Sequence, residues 1–316
     1  MRIKLFRGKY YVVWSEDGQT KRLSLRTDNL ELAKQRFEDL QRQPVGDTAA
    51  DIFSAYTDDR KDRTTHARML DAWKRLKGHF GHLRPDQITR MTCRAYIEER
   101  RRDKVSDGTI IKELTTLRAA LRWNDKNTPA QFEMPSAPAP RDRFLTREEF
   151  LKLRDACGRP HVRLFVILAL STAGRQSAIL ELEWDRVDFE RGLIALALPD
   201  DHGRKKGRAT VPMTAMAREA LEEAKRGALT KHVIEYAEKP VKSVKKGFAD
   251  ACRRAGLENV TPHTLRHTAA VWMAEAGRPM TEIASYLGHS DSQITERVYA
   301  KYSPEYLRQA ASALEI

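Results

Sequence analysis

The chain has 316 residues, more than one hydrophobic core usually supports, so we expect two or three domains. Its 57 lysines and arginines against 44 acidic residues give a net charge of +13, which favours a polyanionic partner, although a basic surface kept for solubility is the alternative. The sequence shows no apolar run of membrane-spanning length and no signal-peptide pattern, which favours a cytoplasmic protein over a membrane protein. Its three cysteines, Cys93, Cys157 and Cys252, are scattered singly, which favours reduced thiols over a disulfide framework or a zinc cluster.

Residues 1–44 are predicted to form a small three-stranded antiparallel sheet followed by one helix. Apolar and polar residues alternate over residues 3–25 around two turns, Gly8-Lys9 and Asp17-Gly18, and the spacing becomes helical over residues 29–40. The strands carry charge of mainly one sign. This favours a DNA-binding module, and a small oligomerisation or folding unit is the alternative.

Residues 47–127 are predicted to form a helical domain of four or five helices, because apolar residues recur there three and four positions apart. Cations crowd its polar faces, a pattern typical either of a solvated surface or of DNA contact. Residues 128–143 follow with four prolines between Thr128 and Pro140, and this composition predicts a linker between two domains.

Residues 144–316 are predicted to form a mostly helical domain with one hairpin. Thr146 followed by Glu149 has the spacing of a capping box at the start of a helix. The run VRLFVILALSTAGR predicts a buried helix that ends at Gly174, and LIALAL followed by a basic, glycine-rich turn predicts two strands. The predicted fold class of the whole chain is therefore mainly α with small β elements.

The stretch TPHTLRH, residues 261–267, is predicted to open a helix with Thr261 as the N-cap and a proline at the first helical position. His263, Arg266 and His267 then lie in the first turns, where free N–H groups and the helix dipole favour an anion. The two histidines have the spacing of a zinc site, but a threonine rather than a glutamate follows the first, and a guanidinium precedes the second. A phosphate site is therefore favoured over a metal site, and a purely structural helix start remains open.

A second histidine motif follows in Leu287-Gly288-His289. Gly288 is predicted to end a helix in a left-handed cap, which would hold His289 at a sharp corner. Tyr299 comes ten residues later on a segment with helical spacing, where an isolated tyrosine is more often part of a core or a surface.

These motifs together resemble the tyrosine recombinase, or phage integrase, family. The resemblance rests on His263-x-x-Arg266, Leu287-Gly288-His289 and Tyr299, preceded by the segment TAGRQS that contains Arg175, and it spans residues 141–316. The order of the domains also fits an integrase with an arm-binding module and a core-binding domain. The resemblance implies a site-specific recombinase that integrates or excises a phage or another mobile element through a 3′-phosphotyrosyl intermediate, without metal, ATP or any cofactor.

The resemblance also implies a role for each motif residue. Two guanidinium forks would neutralise the non-bridging phosphate oxygens, on which charge develops in the transition state. The implied catalytic residues are Arg175 and Arg266 on the phosphate, His289 as a further phosphate contact, Tyr299 as nucleophile, His263 as proton acceptor and later donor, and Lys205, with Lys206 as the alternative, as proton donor to the leaving oxygen.

Two departures from the family pattern are visible in the sequence. Ala178 stands where the family has a carboxylate three residues after the first arginine, so we expect either that another acid, Glu181 or Glu183, orients Arg175 or that Arg175 is held less firmly. The interval between the second histidine motif and the tyrosine is one residue longer than is common, which leaves Tyr302 as an alternative nucleophile.

The partners that the resemblance implies are double-stranded DNA at attachment sites, accessory DNA-bending or directionality proteins, and three further copies of the chain, since the free monomer would form a tetramer on DNA at the nucleoid. The last helix, residues 305–314, is expected to dock on a neighbouring protomer, with packing in cis as the alternative. The residues expected to contact DNA are Arg7, Lys9, Lys21, Arg22 and Arg26 in the first module, and Arg204 and Arg208 in the hairpin.

Three competing functions fit parts of the same pattern. A type IB topoisomerase would use similar chemistry on any duplex, but the arm-like module and the linker argue against it. A catalytically silent DNA-binding regulator would keep the fold without needing the tyrosine. A metallo-hydrolase would be inhibited by EDTA, which the other functions would tolerate.

Overall fold

The structure is a computed structural model that describes residues 2–16, 19–41, 46–137, 142–198, 207–289, 291–304, 308–312 and 314. The chain divides into two compact units, residues 1–140 and residues 141–316. Helices make up 54% of the structure and the sheets are small and antiparallel, so the predicted fold class is confirmed.

The first unit opens with the predicted three-stranded sheet and helix. Its elements are β1 (Arg2–Phe6), β2 (Lys9–Glu16), β3 (Gln19–Ser24) and α1 (Leu30–Gln41), with the strands in the order β1-β2-β3. Val12, Leu25 and Ala33 form its small core. This supersecondary structure is as predicted.

The first hairpin turn lies one residue earlier than predicted. Arg7 and Gly8 join β1 to β2 with φ angles of 49° and 75°, and Lys9 already belongs to the second strand. A two-residue turn with both φ angles positive matches the twist of the flanking strands and favours glycine at its second position. The predicted Asp17-Gly18 turn lies outside the described residues.

Four α-helices follow in the continuously described segment 46–137, within the predicted number. They are α2 (Ala49–Asp58), α3 (His66–Phe80), α4 (Arg90–Arg102) and α5 (Asp107–Asn124). The apolar residues spaced three and four apart meet in one core that includes Phe53, Leu76, Phe80 and Leu114. Capping boxes at Thr48 and Thr89 start α2 and α4.

A buried ion pair lies inside this helical bundle. Glu113 on α5 accepts hydrogen bonds from Arg100 at 2.9 and 3.1 Å and from the Tyr96 hydroxyl at 2.7 Å. The side chains of Arg100 and Glu113 are only 10% and 7% exposed. The hydrogen bonds between them, with a second ion pair from Arg100 to Asp103 at 2.9 Å, make the burial of these charges tolerable.

Part of the predicted linker is anchored on the bundle. Phe132 and Met134 pack against the bundle core, and the Gln131 N–H donates to the Ile88 carbonyl at 2.8 Å. Glu133 forms an ion pair with a bundle arginine at 2.7 Å. Residues 131–134 therefore pack as part of the bundle rather than as a free linker.

The second unit begins with helices α6 (Arg147–Asp155), α7 (Pro160–Ser171) and α8 (Gln176–Leu180) and the small sheet β4 (Val187–Asp188), β5 (Leu193–Ala195) and β6 (Thr210–Pro212). It continues with α9 (Ala215–Arg226), β7 (Glu235–Tyr236), β8 (Lys239–Pro240), α10 (Lys245–Arg254), α11 (Pro262–Glu275), α12 (Met280–Leu287), α13 (Ser292–Tyr299), a 3-10 turn (Ala300–Tyr302) and α14 (Arg308–Ser312). Almost wholly apolar, α7 runs through the core between its neighbours.

Helix α7 ends at Ser171, three residues before the predicted end at Gly174. The Thr172 hydroxyl donates to the Leu168 carbonyl at 2.7 Å and accepts the Gly174 N–H at 3.1 Å, while Ala173 turns left-handed with φ 47°. Side-chain hydrogen bonds of this kind compete with the helix ladder and end it early. At the start of α6, the predicted capping box of Thr146 is confirmed.

The predicted hairpin is confirmed in its strands, because β5 pairs antiparallel with β6. The sequence did not indicate β4, a two-residue strand that extends the sheet. Lys205, Lys206 and Arg204 of the hairpin turn lie outside the described residues.

The start of the second unit is tied to helix α11. The Leu145 N–H donates to the Thr268 hydroxyl at 2.9 Å, and the indole N–H of Trp272 donates to the Leu145 carbonyl at 3.0 Å. These bonds bring the segment before α6 alongside the motif helix. Among the helices that the structure describes, none is long and apolar enough to cross a membrane.

Candidate active site

Helix α11 starts as predicted. Thr261 is the N-cap and accepts a hydrogen bond from the Thr264 N–H, and Pro262 occupies the first helical position. The first turns therefore present His263, Arg266 and His267, as the motif required.

Arg266 is the centre of the site, buried to 5% exposure. Its guanidinium donates to the Ala173 carbonyl at 2.7 Å and to the Leu287 carbonyl at 2.8 Å, and lies 2.9 Å from Nε2 of His289. A guanidinium can only donate, so Nε2 must be the acceptor, which leaves the ring proton on Nδ1. Nδ1 lies 2.8 Å from the Thr295 hydroxyl, which can accept it.

The pKa shifts agree with this arrangement. Burial, reinforced by the charge of Arg175, lowers the pKa of Arg266 to about 10, so the guanidinium remains protonated at neutral pH. Burial and the neighbouring charge of Arg266 lower the pKa of His289, which favours the neutral ring that its acceptor role requires.

Arg175 lies at the N-cap of α8, and its guanidinium donates to the Gly207 carbonyl. Burial and the charge of Arg208 lower its pKa. The two acids expected to orient it have other partners: Glu181 forms an ion pair with Arg208 at 2.6 Å, and Glu183 with a lysine of the loop before β7 at 2.9 Å. The expected carboxylate position, Ala178, is instead 1% exposed in the apolar core.

Two glycines allow the hairpin to touch the corner that holds His289. A Cβ on Gly207 would lie 2.1 Å from the Gly288 carbonyl oxygen, and one on Gly288 would lie 2.9 Å from the backbone of Gly207. Gly288 has φ 63°, which confirms the predicted left-handed cap. Any side chain at either position would force the two backbones apart.

Tyr299, the last residue of α13, is 7% exposed. Its hydroxyl lies 3.4 Å from Nδ1 of His267, and the two ring centroids are 5.3 Å apart. Burial raises the pKa of Tyr299, and the charge of Arg266 partly opposes this. His263 is exposed at the helix start, where desolvation by the surrounding protein and the charges of Arg266 and Arg175 lower its pKa.

The described residues contain no group of three or more His, Cys, Asp or Glu side chains placed to hold a metal ion. The histidines of the motif helix have different surroundings. His263 lies near two guanidiniums, and His267 packs between two tyrosines.

Residues 143–305, more than half of the chain, match the sequence profile of the phage integrase family. The chain belongs to this family. It is 30% identical to the integrase of Salmonella phage P22 over 67% of this chain and 57% of that relative, and 28% identical to the tyrosine recombinase XerA of Thermococcus onnurineus over 68% of this chain and 78% of that relative. The chain thus spans little more than half the length of the phage relative.

Solved structures of phage integrase relatives share the fold. The Tn1549 transposon integrase in complex with a circular intermediate DNA superposes with a TM-score of 0.71 at 16% identity, covering 85% of this chain and 100% of that one. The lambda integrase dimer bound to a COC′ core site superposes with a TM-score of 0.66 at 17% identity, covering 96% and 95%.

In this phage integrase relative, the structure brings five of the predicted catalytic residues into one neighbourhood from four separate segments. They are Arg175, His263, Arg266, His289 and Tyr299. No catalytic role was predicted for His267 or Asp142, although His267 lies beside Tyr299 and Asp142 lies beside His267. The sequence showed the helical spacing between His263 and His267. It could not show Asp142 beside His267, because tertiary structure alone brings the two together.

The N-terminal sheet has one basic and aromatic face. Alternation along the strands and the strand register place Lys9 and Arg22 on the face opposite α1, together with Arg2, Lys4 and Tyr11. Lys21 is paired with Trp14 and therefore lies on the other face. Arg2 and Lys4 were not among the predicted DNA contacts, although the strand register places them on the same face.

The predicted DNA contact Arg208 lies inside the fold. Its side chain is 6% exposed and its guanidinium is bound to Glu181. Little of this side chain is therefore exposed to bind DNA.

Proposed function

We propose that the protein is a site-specific DNA recombinase, which cuts and rejoins double-stranded DNA at the attachment sites of a phage or another mobile element. The observation that carries this proposal is the buried Arg266, fixed by two backbone carbonyls and His289, with its charge beside the phenol of Tyr299. A buried guanidinium next to a tyrosine fits a phosphodiester that is attacked by the phenol oxygen. Membership of the phage integrase family supports the same conclusion.

The scissile phosphate would lie between Arg175 and Arg266. Their planar forks match two non-bridging oxygens, whose charge rises in the transition state. One phosphate oxygen would replace the Gly207 carbonyl as the acceptor for Arg175. For His289 to contact the bound phosphate, its Nε2 would have to carry a proton and donate it to a phosphate oxygen in place of accepting from Arg266.

In the cleavage step, the Tyr299 oxygen would attack phosphorus and form a 3′-phosphotyrosyl bond while the bond to the 5′-oxygen breaks. The phenol proton would pass to an imidazole, for which the sequence favours His263, and Lys205 or Lys206 would donate a proton to the 5′-oxygen. The reverse step rejoins the strand. Because the phosphotyrosyl bond retains the energy of the phosphodiester, neither ATP nor a metal ion is required.

DNA outside the scissile phosphate would be held by the basic faces of the first unit. The outer face of the N-terminal sheet carries cations interleaved with aromatic rings, with the Arg22 guanidinium 4.7 Å from the centroid of the Phe6 ring. Contacts of this kind to the phosphate backbone would make binding steeply dependent on salt. The protein would act in the cytoplasm at the nucleoid, with accessory DNA-bending or directionality proteins.

Recombination would need four copies on DNA, although the free protein would be a monomer. Leu314, two residues beyond the end of α14, is 81% exposed. This apolar side chain would be free to pack against a partner protomer. Removing residues from 304 onward should abolish the tetramer while leaving DNA binding by the monomer. Unchanged tetramer formation would contradict docking of this helix between protomers.

The function is tested by covalent trapping in EDTA on nicked duplexes that contain randomised cores and the DNA flanking the gene. An adduct stable in SDS should form with wild type and with Tyr302→Phe, but not with Tyr299→Phe. An adduct lost only with Tyr302→Phe would move the nucleophile. Salt-sensitive DNA binding without any adduct would indicate a silent regulator, and relaxation of a plasmid that lacks target sites would indicate a topoisomerase.

A further inference from the structure

The imidazole nearest to the Tyr299 hydroxyl is that of His267, not that of His263. Nδ1 of His267 lies 3.4 Å from the phenol oxygen, and the rings pack at 38° with centroids 5.3 Å apart. No hydrogen bond joins His263 to Tyr299 among the residues that the structure describes. The side chain that is predicted to release a proton therefore faces a histidine without an assigned role.

The other nitrogen of this imidazole faces a carboxylate. Nε2 of His267 is buried without a hydrogen-bond partner in the described part of the chain, and the nearest acid oxygen, Oδ1 of Asp142, is 3.7 Å away. A carboxylate on this side favours the tautomer with its proton on Nε2. That tautomer leaves the Nδ1 lone pair directed at the phenol, so the ring can accept its proton.

Asp142 is itself held in place by the segment that follows the tyrosine. Lys301 donates to it at 2.6 Å and the Tyr302 hydroxyl also donates to it, and these hydrogen bonds lower the pKa of its carboxyl. The Phe144 ring packs edge-on against Tyr302, with centroids 5.5 Å apart. The carboxylate therefore stays ionised and in reach of His267.

We propose that His267 is the catalytic base that accepts the Tyr299 proton, and that Asp142 is a positioning residue that selects its tautomer. In this step the phenol oxygen forms its bond to phosphorus, the phenol proton moves to Nδ1 of His267, and the bond from phosphorus to the 5′-oxygen breaks. The 5′-oxygen takes its proton from the hairpin lysine. The inference rests on the proposed recombinase function and reassigns one proton in it, leaving His263 on the phosphate side of the site.

The tautomer can be measured without DNA. Nitrogen NMR of the full-length protein labelled at histidine, assigned with His267→Gln, should show the proton of neutral His267 on Nε2. Asp142→Asn should move part of the population to the Nδ1–H form. A wild-type ring that carries its proton on Nδ1 cannot accept another there, and this result would overturn the proposal.

Cleavage assays distinguish a base at His267 from a base at His263 and from the proton donor to the leaving group. On the nicked duplex that wild type cleaves, His267→Ala should slow adduct formation by about 100-fold or more, as removal of a general base does. Added imidazole should restore part of the rate to this variant but not to His263→Ala. A duplex with a 5′-bridging sulfur, whose leaving group needs no proton, should leave the defect of His267→Ala unchanged, since that defect lies in activating the nucleophile.

Matched variants isolate the role of Asp142. Asp142→Asn should slow cleavage in the same direction as His267→Ala, whereas Asp250→Asn, which changes an exposed carboxylate on α10 outside the site, should cleave as wild type does. Normal or faster cleavage by His267→Ala, with adducts still formed by wild type, would overturn this inference alone. Absence of an adduct from wild type would overturn the proposed function, and the proton assignment with it.

Discussion

Replacing Arg266 by lysine keeps a positive charge in place and removes only the planar fork. In the structure the guanidinium bridges two buried carbonyls on separate segments, that of Ala173 at 2.7 Å and that of Leu287 at 2.8 Å. An ammonium is a single point donor and cannot bridge both while also contacting His289. At least one buried carbonyl should lose its charged donor, at a cost of about 1.5–3 kcal/mol in the free energy of unfolding.

The same substitution should reduce cleavage more than it reduces stability. Losing one of the two donors to a phosphate oxygen should slow adduct formation by about 100-fold, which corresponds to about 2.7 kcal/mol in the activation free energy. Denaturant unfolding of the full chain measures the first quantity, with allowance for two transitions because the chain has two compact units. The trapping assay measures the second.

Arg254→Lys is the matched control. Arg254 also donates to a backbone carbonyl, that of Ala156 at 2.8 Å, but it does so at an exposed site. Its replacement should change the unfolding free energy by no more than about 0.5 kcal/mol. If Arg266→Lys unfolds and cleaves as wild type does, the fork is not what holds the site together, and the reasoning is refuted.

The lysine variant also has a predicted pH dependence. Burial and Arg175 lower the pKa of Arg266 to about 10, and the same two causes should lower that of an amine placed there, whose ordinary pKa is about 10.4. Because the cation is the active form, the residual cleavage by the variant should be lost as pH rises through this lowered pKa. Wild type should keep its activity at the same pH.

Three further predictions concern other parts of the chain. Gly207→Ala should destabilise the second unit by about 1–3 kcal/mol in denaturant unfolding and slow cleavage, because the new Cβ meets a backbone oxygen. Gly78→Ala is the control: it lies in a helix with open space around it and should stabilise the first unit by about 0.5–1 kcal/mol. Arg22→Ala should weaken binding to accessory-site DNA and reduce the slope of log affinity against log salt by about one. Lys21→Ala, on the opposite face of the sheet, should reduce both the affinity and the slope by less. Glu113→Gln should destabilise the first unit by about 3 kcal/mol, since it leaves the buried Arg100 guanidinium with only the more exposed Asp103 as a counter-ion.

Each of these has a result that contradicts it. Equal unfolding midpoints for Gly207→Ala and wild type would mean that the hairpin can move away from its neighbour freely. Equal salt slopes for the Arg22 and Lys21 variants would place both faces of the sheet, or neither, on DNA. Glu133→Gln, which breaks a more exposed ion pair, should cost no more than about 1 kcal/mol, and a loss as large as that of Glu113→Gln would show that burial does not decide the cost.

Signals confined to a few neighbouring residues predicted much of the fold and of the site. The N-cap at Thr261, the left-handed cap at Gly288 and the capping box at Thr146 each follow from side chains and φ angles within one helical turn. The structure has all three. The same local signals indicated which residues belong to the motif, because their spacing along the chain is part of it.

Features that depend on tertiary structure could not be predicted in this way. The end of α7 was misplaced because the Thr172 hydroxyl competes for backbone bonds, which helical periodicity does not reveal. Arg208 was expected on DNA because its charge is visible in the sequence, whereas its burial against Glu181 is not. His267 was recognised as part of a pair with His263, but its neighbours Tyr299 and Asp142 come from distant segments.

The contact between Gly207 and Gly288 also limits how relatives of this chain can vary. Each glycine already has the smallest side chain available, and the obstacle that a new Cβ would meet is backbone. A mutation at one position therefore cannot be rescued by a smaller residue at the other. Second-site revertants of Gly207→Ala should be insertions, deletions or turn substitutions that reroute the hairpin, and a genetic selection for restored recombination should return those in place of compensating pairs.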